Sequence, residues 1–155
     1  MPATSAGLLP YRFGDAGLEV LIGHMGGPFW ARREEGAWSI VKGEHSGEEE
    51  PLQAARREWL EETGAPVPDG PAIELGEVRQ SGGKRVRAWA VAGDLDAATL
   101  RSNTFTIEWP PRSGRTAEFP EIDRFRWCDT AAAGRLLVSA QRAFVEELER
   151  RLATG

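Results

Sequence analysis

The sequence has one cysteine, Cys128, in 155 residues. No internal disulfide framework is therefore available, and the chain suits a reducing compartment held together by a packed core. Cys128 itself has no recognisable catalytic setting and reads as buried filler. No apolar run approaches the roughly 18 residues that a bilayer-spanning helix requires. Neither Lys nor Arg occurs in the first ten residues, so a secretory signal is not expected and the protein reads as cytoplasmic, with no membrane partner. Lysine is scarce as well: Lys42 and Lys84 are the only two, against seventeen arginines. Basic residues as a class are outnumbered, 19 Lys and Arg against 24 Asp and Glu, for a net charge of −5. That balance excludes general electrostatic attraction as a means of holding nucleic acid, so no stable nucleic-acid partner is expected. It leaves open a phosphorylated small molecule, because a cation can bridge acidic side chains to an anionic ligand.

What is present is the composition of a globular domain, 41% hydrophobic and 28% charged. A chain of this length buries roughly 68 to 70% of its extended surface on folding, enough for one core without staples. No repeat or linker divides it, so residues 1–155 are expected to form one domain. No feature specifies an oligomeric state. Two short apolar stretches, 7–12 and 18–24, flank a turn at 13–17 and predict a hairpin. A second hairpin is expected from 73–80 and 85–92, joined by Ser81-Gly82-Gly83-Lys84. Further strands are expected at 105–109 and 123–128, with a Gly- and Glu-rich loop after Trp38-Ser39-Ile40-Val41 and another loop at 112–115. From Asp129 onward a helical tail is predicted, in which Ala140, Phe144, Leu148 and Leu152 recur at four-residue steps and would cover the sheet. Strands and helices mixed along one chain predict an α/β or α+β layered fold.

The segment with the most chemistry is a helix predicted over 51–63. Pro51 suits a first helical position, and Gly64 is placed to cap the end. At about 100° per residue, Glu58, Glu61 and Glu62 fall within one sector, with Leu52, Ala55, Trp59 and Leu60 on the other side. Arg56 interrupts the apolar sector, and its stem would have to reach past the core. Glutamates on helices are ordinarily a solvated face supported by pairs with arginines such as Arg56 and Arg57. Here three acids crowd together near a helix C-terminus, where the macrodipole disfavours anions. A divalent cation relieves that arrangement, and hard oxygen ligands point to Mg²⁺, with Mn²⁺ as the alternative.

From Gly43 the residues run Gly43, five intervening, Glu49, seven intervening, then Arg57-Glu58-Trp59-Leu60-Glu61-Glu62-Thr63-Gly64-Ala65. This resembles the Nudix box, G-x5-E-x7-R-E-U-x-E-E-x-G-U, where U is bulky and apolar. All seven fixed polar and glycine positions match. With each residue type used at roughly 5 to 7%, chance agreement is on the order of one in 10⁸ to 10⁹ per start position. Trp59 is larger and Ala65 smaller than usual at the U positions. The flanking stretches Trp38-Ser39-Ile40-Val41-Lys42-Gly43-Glu44 and Glu121-Ile122-Asp123-Arg124-Phe125-Arg126-Trp127 are similar to parts of bacterial nucleoside triphosphate pyrophosphohydrolases and dinucleoside tetraphosphate hydrolases.

The resemblance implies an α/β/α sandwich around a mixed sheet, and hydrolysis of a nucleoside diphosphate linked to another moiety, by attack of water on phosphorus. It assigns Glu58, Glu61 and Glu62 to the metal, with a main-chain carbonyl near Lys42 or Gly43 completing the shell. Arg57 and Glu49 hold the box carboxylates in place. Gly43 permits a backbone shape a side chain would obstruct, and Lys42 adjoins the box and is placed to touch a phosphate. Glu58 is the first candidate for general base, Glu121 the best loop candidate and Glu118 a spare. Base stacking and phosphate contacts are assigned outside the box, to Trp30, Arg32, Arg33, Arg85, Arg87, Trp109, Arg112 and Arg115. His24 and His45 receive no role. The leading expectation is a Mg²⁺-dependent hydrolase of a nucleoside triphosphate or dinucleoside polyphosphate. The competing expectations are removal of pyrophosphate from an RNA 5′ end, and a domain that binds a nucleotide without cleaving it.

Overall fold

The computed structural model describes residues 4–15 and 17–154. The first strands, β1 (Thr4–Gly14) and β2 (Gly17–Met25), form the expected antiparallel hairpin, with Gly14 opposite Gly17. Ala16, in the turn, lies outside the described residues. Their pairing lasts only from Tyr11 to Gly14 on β1. Beyond it the strands diverge, and residues 38–44 enter the gap: β3 (Trp38–Ser39) pairs with β2 at Gly23 and His24, while β4 (Val41–Glu44) pairs with β1 from Ser5 to Leu8. Ile40 lies between the two, where the chain crosses from one strand to the other.

The free edge of β1 takes β6 (Arg85–Ala92) in parallel, and β5 (Ile73–Arg79) pairs antiparallel outside it. The free edge of β2 takes β9 (Ile122–Asp129), so the mixed sheet has seven strands. Side chains alternate between faces. Ala6, Leu8, Leu21, Val41, Trp89 and Val91 pack with Ala54, Ala55 and Trp59 of α1 (Pro51–Thr63). Their neighbours Leu9, Val20, Ile22, Val86, Ala88 and Ala90 pack on the other face with α2 (Thr130–Leu136) and α3 (Arg142–Thr154), through residues such as Leu136, Phe144 and Leu148. This is the expected α/β/α sandwich. No helix among the described residues is long and apolar enough to cross a membrane.

Three local expectations are corrected. The tail is two helices rather than one. At Leu137 and Val138 the chain turns extended, Val138 N donates to Trp38 O at 2.9 Å, and Leu137 bridges Trp38. The break delivers Gln141, which is fully buried. Its Oε1 accepts from Ile40 N at 2.8 Å, while Nε2 donates to Ser39 Oγ at 3.1 Å and Gln80 Oε1 at 2.8 Å. Gln141 thereby satisfies the backbone at the crossing, where a ladder partner is missing.

Leu60 is 56% exposed and Arg56 is exposed too, so neither belongs to the packed side of α1. The buried stripe instead runs through Ala54, Ala55, Glu58, Trp59 and Thr63. Glu58 therefore sits on the sheet-facing side, and the reading of one apolar face opposite one carboxylate face does not hold. Finally, 116–120 forms a strand that the sequence pattern did not announce. β8 (Thr116–Pro120) pairs only with β7 (Thr104–Glu108), as a two-stranded arm apart from the main sheet.

Candidate active site

The segment that starts α1 is locally determined. The Glu50 side chain accepts from Gln53 N at 2.8 Å, and Pro51 occupies the first turn, where a missing N–H costs nothing. Gly64 ends the helix in the left-handed conformation, φ 70°, with its N–H donating to Leu60 O. This fixes the phase of the acidic residues against β4.

Glu58 is 8% exposed and its carboxyl lies against Gly43 of β4. A Cβ at position 43 would stand 1.9 Å from Glu58 Oε2, so the glycine is required by close approach. Burial raises the Glu58 pKa, against the opposing pull of Arg57. Arg57 is a three-way clamp. It binds Glu49 with both arms, Nε to Oε2 at 2.8 Å and Nη2 to Oε1 at 2.9 Å. Its Nη1 reaches Glu58 Oε1 at 2.9 Å and both Glu61 oxygens at 3.3 Å. The Arg57 hydrogen bond lowers the Glu49 pKa, so Glu49 anchors the guanidinium from the loop while Glu58 and Glu61 are drawn together. One guanidinium thus brings Glu49, Glu58 and Glu61 together.

Glu62 is half-buried one turn after Glu58, and burial, with the nearby charge of Glu121 next, pushes its pKa up to about 7. Glu121 lies at the junction of β8 and β9 and its side chain makes no hydrogen bond or ion pair among the described residues. Lys42 is partly buried. Desolvation, then the proximity of Lys84, lowers its pKa, opposed by Glu44, Glu58 and Glu62. Glu58, Glu62, Glu121, Lys42, Gly43 and Lys84 line one cleft of about 450 Å³. Glu61 and Glu49 are tied to it through Arg57. Among the described residues no group of three His, Cys, Asp or Glu side chains already surrounds one point as a metal cage. The donor chemistry nevertheless fits a hard divalent cation: oxygen ligands, mutually repelling, with the Glu62 pKa raised by burial and then by the neighbouring carboxylates.

The family model of the NUDIX domain matches residues 1–148. The chain belongs to the Nudix family. No match is found among curated proteins. Nudix structures with the same fold include a C. elegans Ap4A hydrolase in a binary complex, at 19% identity and TM-score 0.70 over 97% of this chain and 99% of that one. The NUDIX domain of Shewanella oneidensis NrtR, complexed with ADP ribose, is similar at 14% identity and TM-score 0.65 over 98% and 89%. The E. coli ORF135 protein aligns at 19% identity and TM-score 0.64 over 98% and 91%. In this Nudix chain, then, the glycine, arginine and glutamates of the box are the residues found around Gly43 and Arg57.

The remaining candidates divide. Trp30 and Trp109 line an apolar groove of about 390 Å³ together with Phe29, Phe105 and Ile107. Phe29 is 63% exposed and Trp109 40%, and the Arg33 guanidinium stands 4.3 Å above the Phe29 ring. The groove adjoins the cleft where Gly26 N donates to Glu121 O at 2.9 Å. Arg32, Arg85, Arg87, Arg112 and Arg115 line neither cavity; Arg87 is paired with Glu74 across β5 and β6. Glu118 lies on the arm, away from the cleft lining. His24, given no role, is fully buried and bridges Asp123 Oδ1 and Arg33 O, at 2.7 Å each, which ties the aromatic loop to β9. Cys128 is buried filler as expected, its thiol pushed up to about 11 by burial. Lys84 and Ser5 also line the cleft, and the sequence did not single them out. Lysine scarcity was the one available signal for Lys84; nothing in the sequence marked Ser5.

Proposed function

We propose that this Nudix protein is a divalent-metal-dependent pyrophosphohydrolase acting on a nucleoside triphosphate or dinucleoside polyphosphate. The observation that carries the reading is a single cleft lined by Glu58, Glu62 and Glu121 together with Lys42 and Lys84, beside an aromatic groove. Carboxylates alone would repel a polyphosphate, and lysines alone would bind it without activating water. Aromatic walls next to both suit a nucleobase, since Phe and Trp faces stack on any base.

Glu58, Glu61 and Glu62 would hold Mg²⁺, or Mn²⁺ in its place, with a main-chain carbonyl near Lys42 or Gly43. Such an ion would supply positive charge against the phosphates and a more acidic water. The protein's own part is positioning. Arg57, fixed by Glu49, keeps Glu58 and Glu61 side by side. Lys42 holds a phosphate oxygen. Glu121 takes the proton as the water oxygen bonds to phosphorus and the anhydride P–O bond breaks. Between the two base candidates, Glu121 is favoured because its carboxylate is unengaged, whereas Glu58 is committed to Arg57 and packed on Gly43.

The test is a panel of nucleoside triphosphates, dinucleoside polyphosphates, nucleotide sugars and diphosphoinositols with Mg²⁺ or Mn²⁺, with products resolved to locate scission. Wild type should cleave at least one nucleoside polyphosphate, and replacing both Glu61 and Glu62 with Gln should abolish it. Full activity in that variant overturns the metal assignment. A wild type that cleaves nothing, yet melts higher with one compound, is a binding domain instead.

A further inference from the structure

The two lysines of the chain are 42 residues apart in sequence, yet they meet in one cleft, and the register explains how. Ser5 pairs with Glu44 and Gly7 with Lys42 across β1 and β4, so Ser5, Lys42 and Glu44 point to one side of the sheet. Ser5 also pairs with Val86 on its other edge. Lys84, two residues before Val86 in extended conformation, shares that side. β1, β4 and the residue that leads into β6 thus bring two ammonium groups and a hydroxyl to one wall of the cleft that Glu58, Glu62 and Glu121 also line.

Two features of this wall are unexplained by the folded chain alone. Ser5 is fully buried, and its Oγ has no hydrogen-bond partner. Buried hydroxyls are normally satisfied, and one left without a partner beside a cleft is a donor awaiting an acceptor. Lys84 has one carboxylate within 4 Å, Glu44 at 3.5 Å, and that pair is substantially solvated. Lys42 makes no ion pair within 4 Å among the described residues.

We infer that Ser5 and Lys84 form a subsite for a third phosphate group, beyond the diphosphate held at the glutamates, so that the cleft selects substrates with three or more consecutive phosphates. The inference rests on the proposed function and names its substrate class. A diphosphate bridging to the α1 carboxylates engages Lys42 at the base of the cleft. A further phosphate extends toward the β5–β6 turn, where Lys84 leaves Glu44 for it and the Ser5 hydroxyl donates to one of its oxygens. A substrate with only two phosphates leaves both unused.

The experiment uses the full chain and its Lys84→Ala, Lys84→Arg and Ser5→Ala variants. Hydrolysis of a nucleoside triphosphate is compared with that of ADP-ribose, which has two phosphates. Lys84→Ala should lower the ratio of kcat/KM for the triphosphate over ADP-ribose about tenfold, through KM rather than kcat, the scale of one partly exposed charge-assisted contact. Lys84→Arg should restore most of it. Ser5→Ala should lower the ratio roughly threefold while raising the melting temperature of the free protein, because an unpaired buried hydroxyl is gone. An unchanged ratio in Lys84→Ala, or a loss in kcat alone, overturns the subsite.

A second readout needs no turnover. Inorganic tripolyphosphate should raise the wild-type melting temperature more than pyrophosphate does, with and without Mg²⁺, and Lys84→Ala should erase the difference. If wild type hydrolyses nothing, the proposed function fails, but this comparison still decides the subsite. Equal shifts by the two anions on wild type refute it.

Discussion

The Glu58 carboxyl occupies the place a side chain at Gly43 would take, with Oε2 only 1.9 Å from an ideal Cβ there. One residue of α1 and one of β4 are thereby interlocked, and the helix is held at the height where Glu62 also faces the cleft. Gly43 is not among the glycines with positive φ, so its substitution tests contact rather than backbone strain.

Gly43→Ala should displace the Glu58 carboxyl, weaken metal binding and lower kcat/KM on the order of 100-fold, the upper range for disturbing groups that orient a metal site. The forced overpacking should cost about 1 to 3 kcal/mol of stability. Metal titration followed by calorimetry, beside chemical denaturation, checks both. Retained metal affinity would mean that the carboxyl position is unimportant.

Glu62 gives a pH dependence whose sign follows from its raised pKa. With a folded value of about 7 against 4.5 unfolded, the native protein binds the proton more tightly, so this contribution to stability is present below about pH 4.5 and is lost as pH rises through 7. In the presence of EDTA, Glu62 should therefore lower the melting temperature between pH 5 and pH 8. Glu62→Gln should flatten that component. Mg²⁺ should oppose it, with a stabilisation that grows with pH because protons and metal compete for the same oxygens. Scanning calorimetry of the four combinations reads all three trends.

Gln141→Leu leaves Ile40 N without its acceptor and Ser39 Oγ without its donor at the crossing between β1 and β2. Stranding these buried groups should cost about 2 to 4 kcal/mol. Hydrogen exchange should show lost protection at Ile40 and its neighbours, and if protection there is unchanged, Gln141 is not what closes the crossing.

Much of this molecule was legible before folding. The turn chemistry of both hairpins, the proline and glycine at the ends of α1, and the periodicity of Phe144 and Leu148 are local signals, each governed by residues within a few positions. The box spacing is local as well. The break at Leu137 was not legible, because it is imposed by Trp38, a hundred residues away. Leu60 was misplaced for a related reason: a wheel ranks sides of a helix by polarity, whereas burial is set by where the sheet ends, and at Gly43 the sheet admits a carboxylate.

By itself, the sequence determined the layered class, the acidic helix and its family, since those depend on residue types at short, fixed spacing. Only the tertiary structure decided that Glu121 approaches Glu62, that Lys84 and Ser5 share a wall with Lys42, and that the aromatic loop borders the acids. Those neighbours come from β1, β4, the turn before β6 and the junction of β8 and β9, and which strands lie side by side is fixed by long-range register and two-sided packing, whose information is spread across the whole chain.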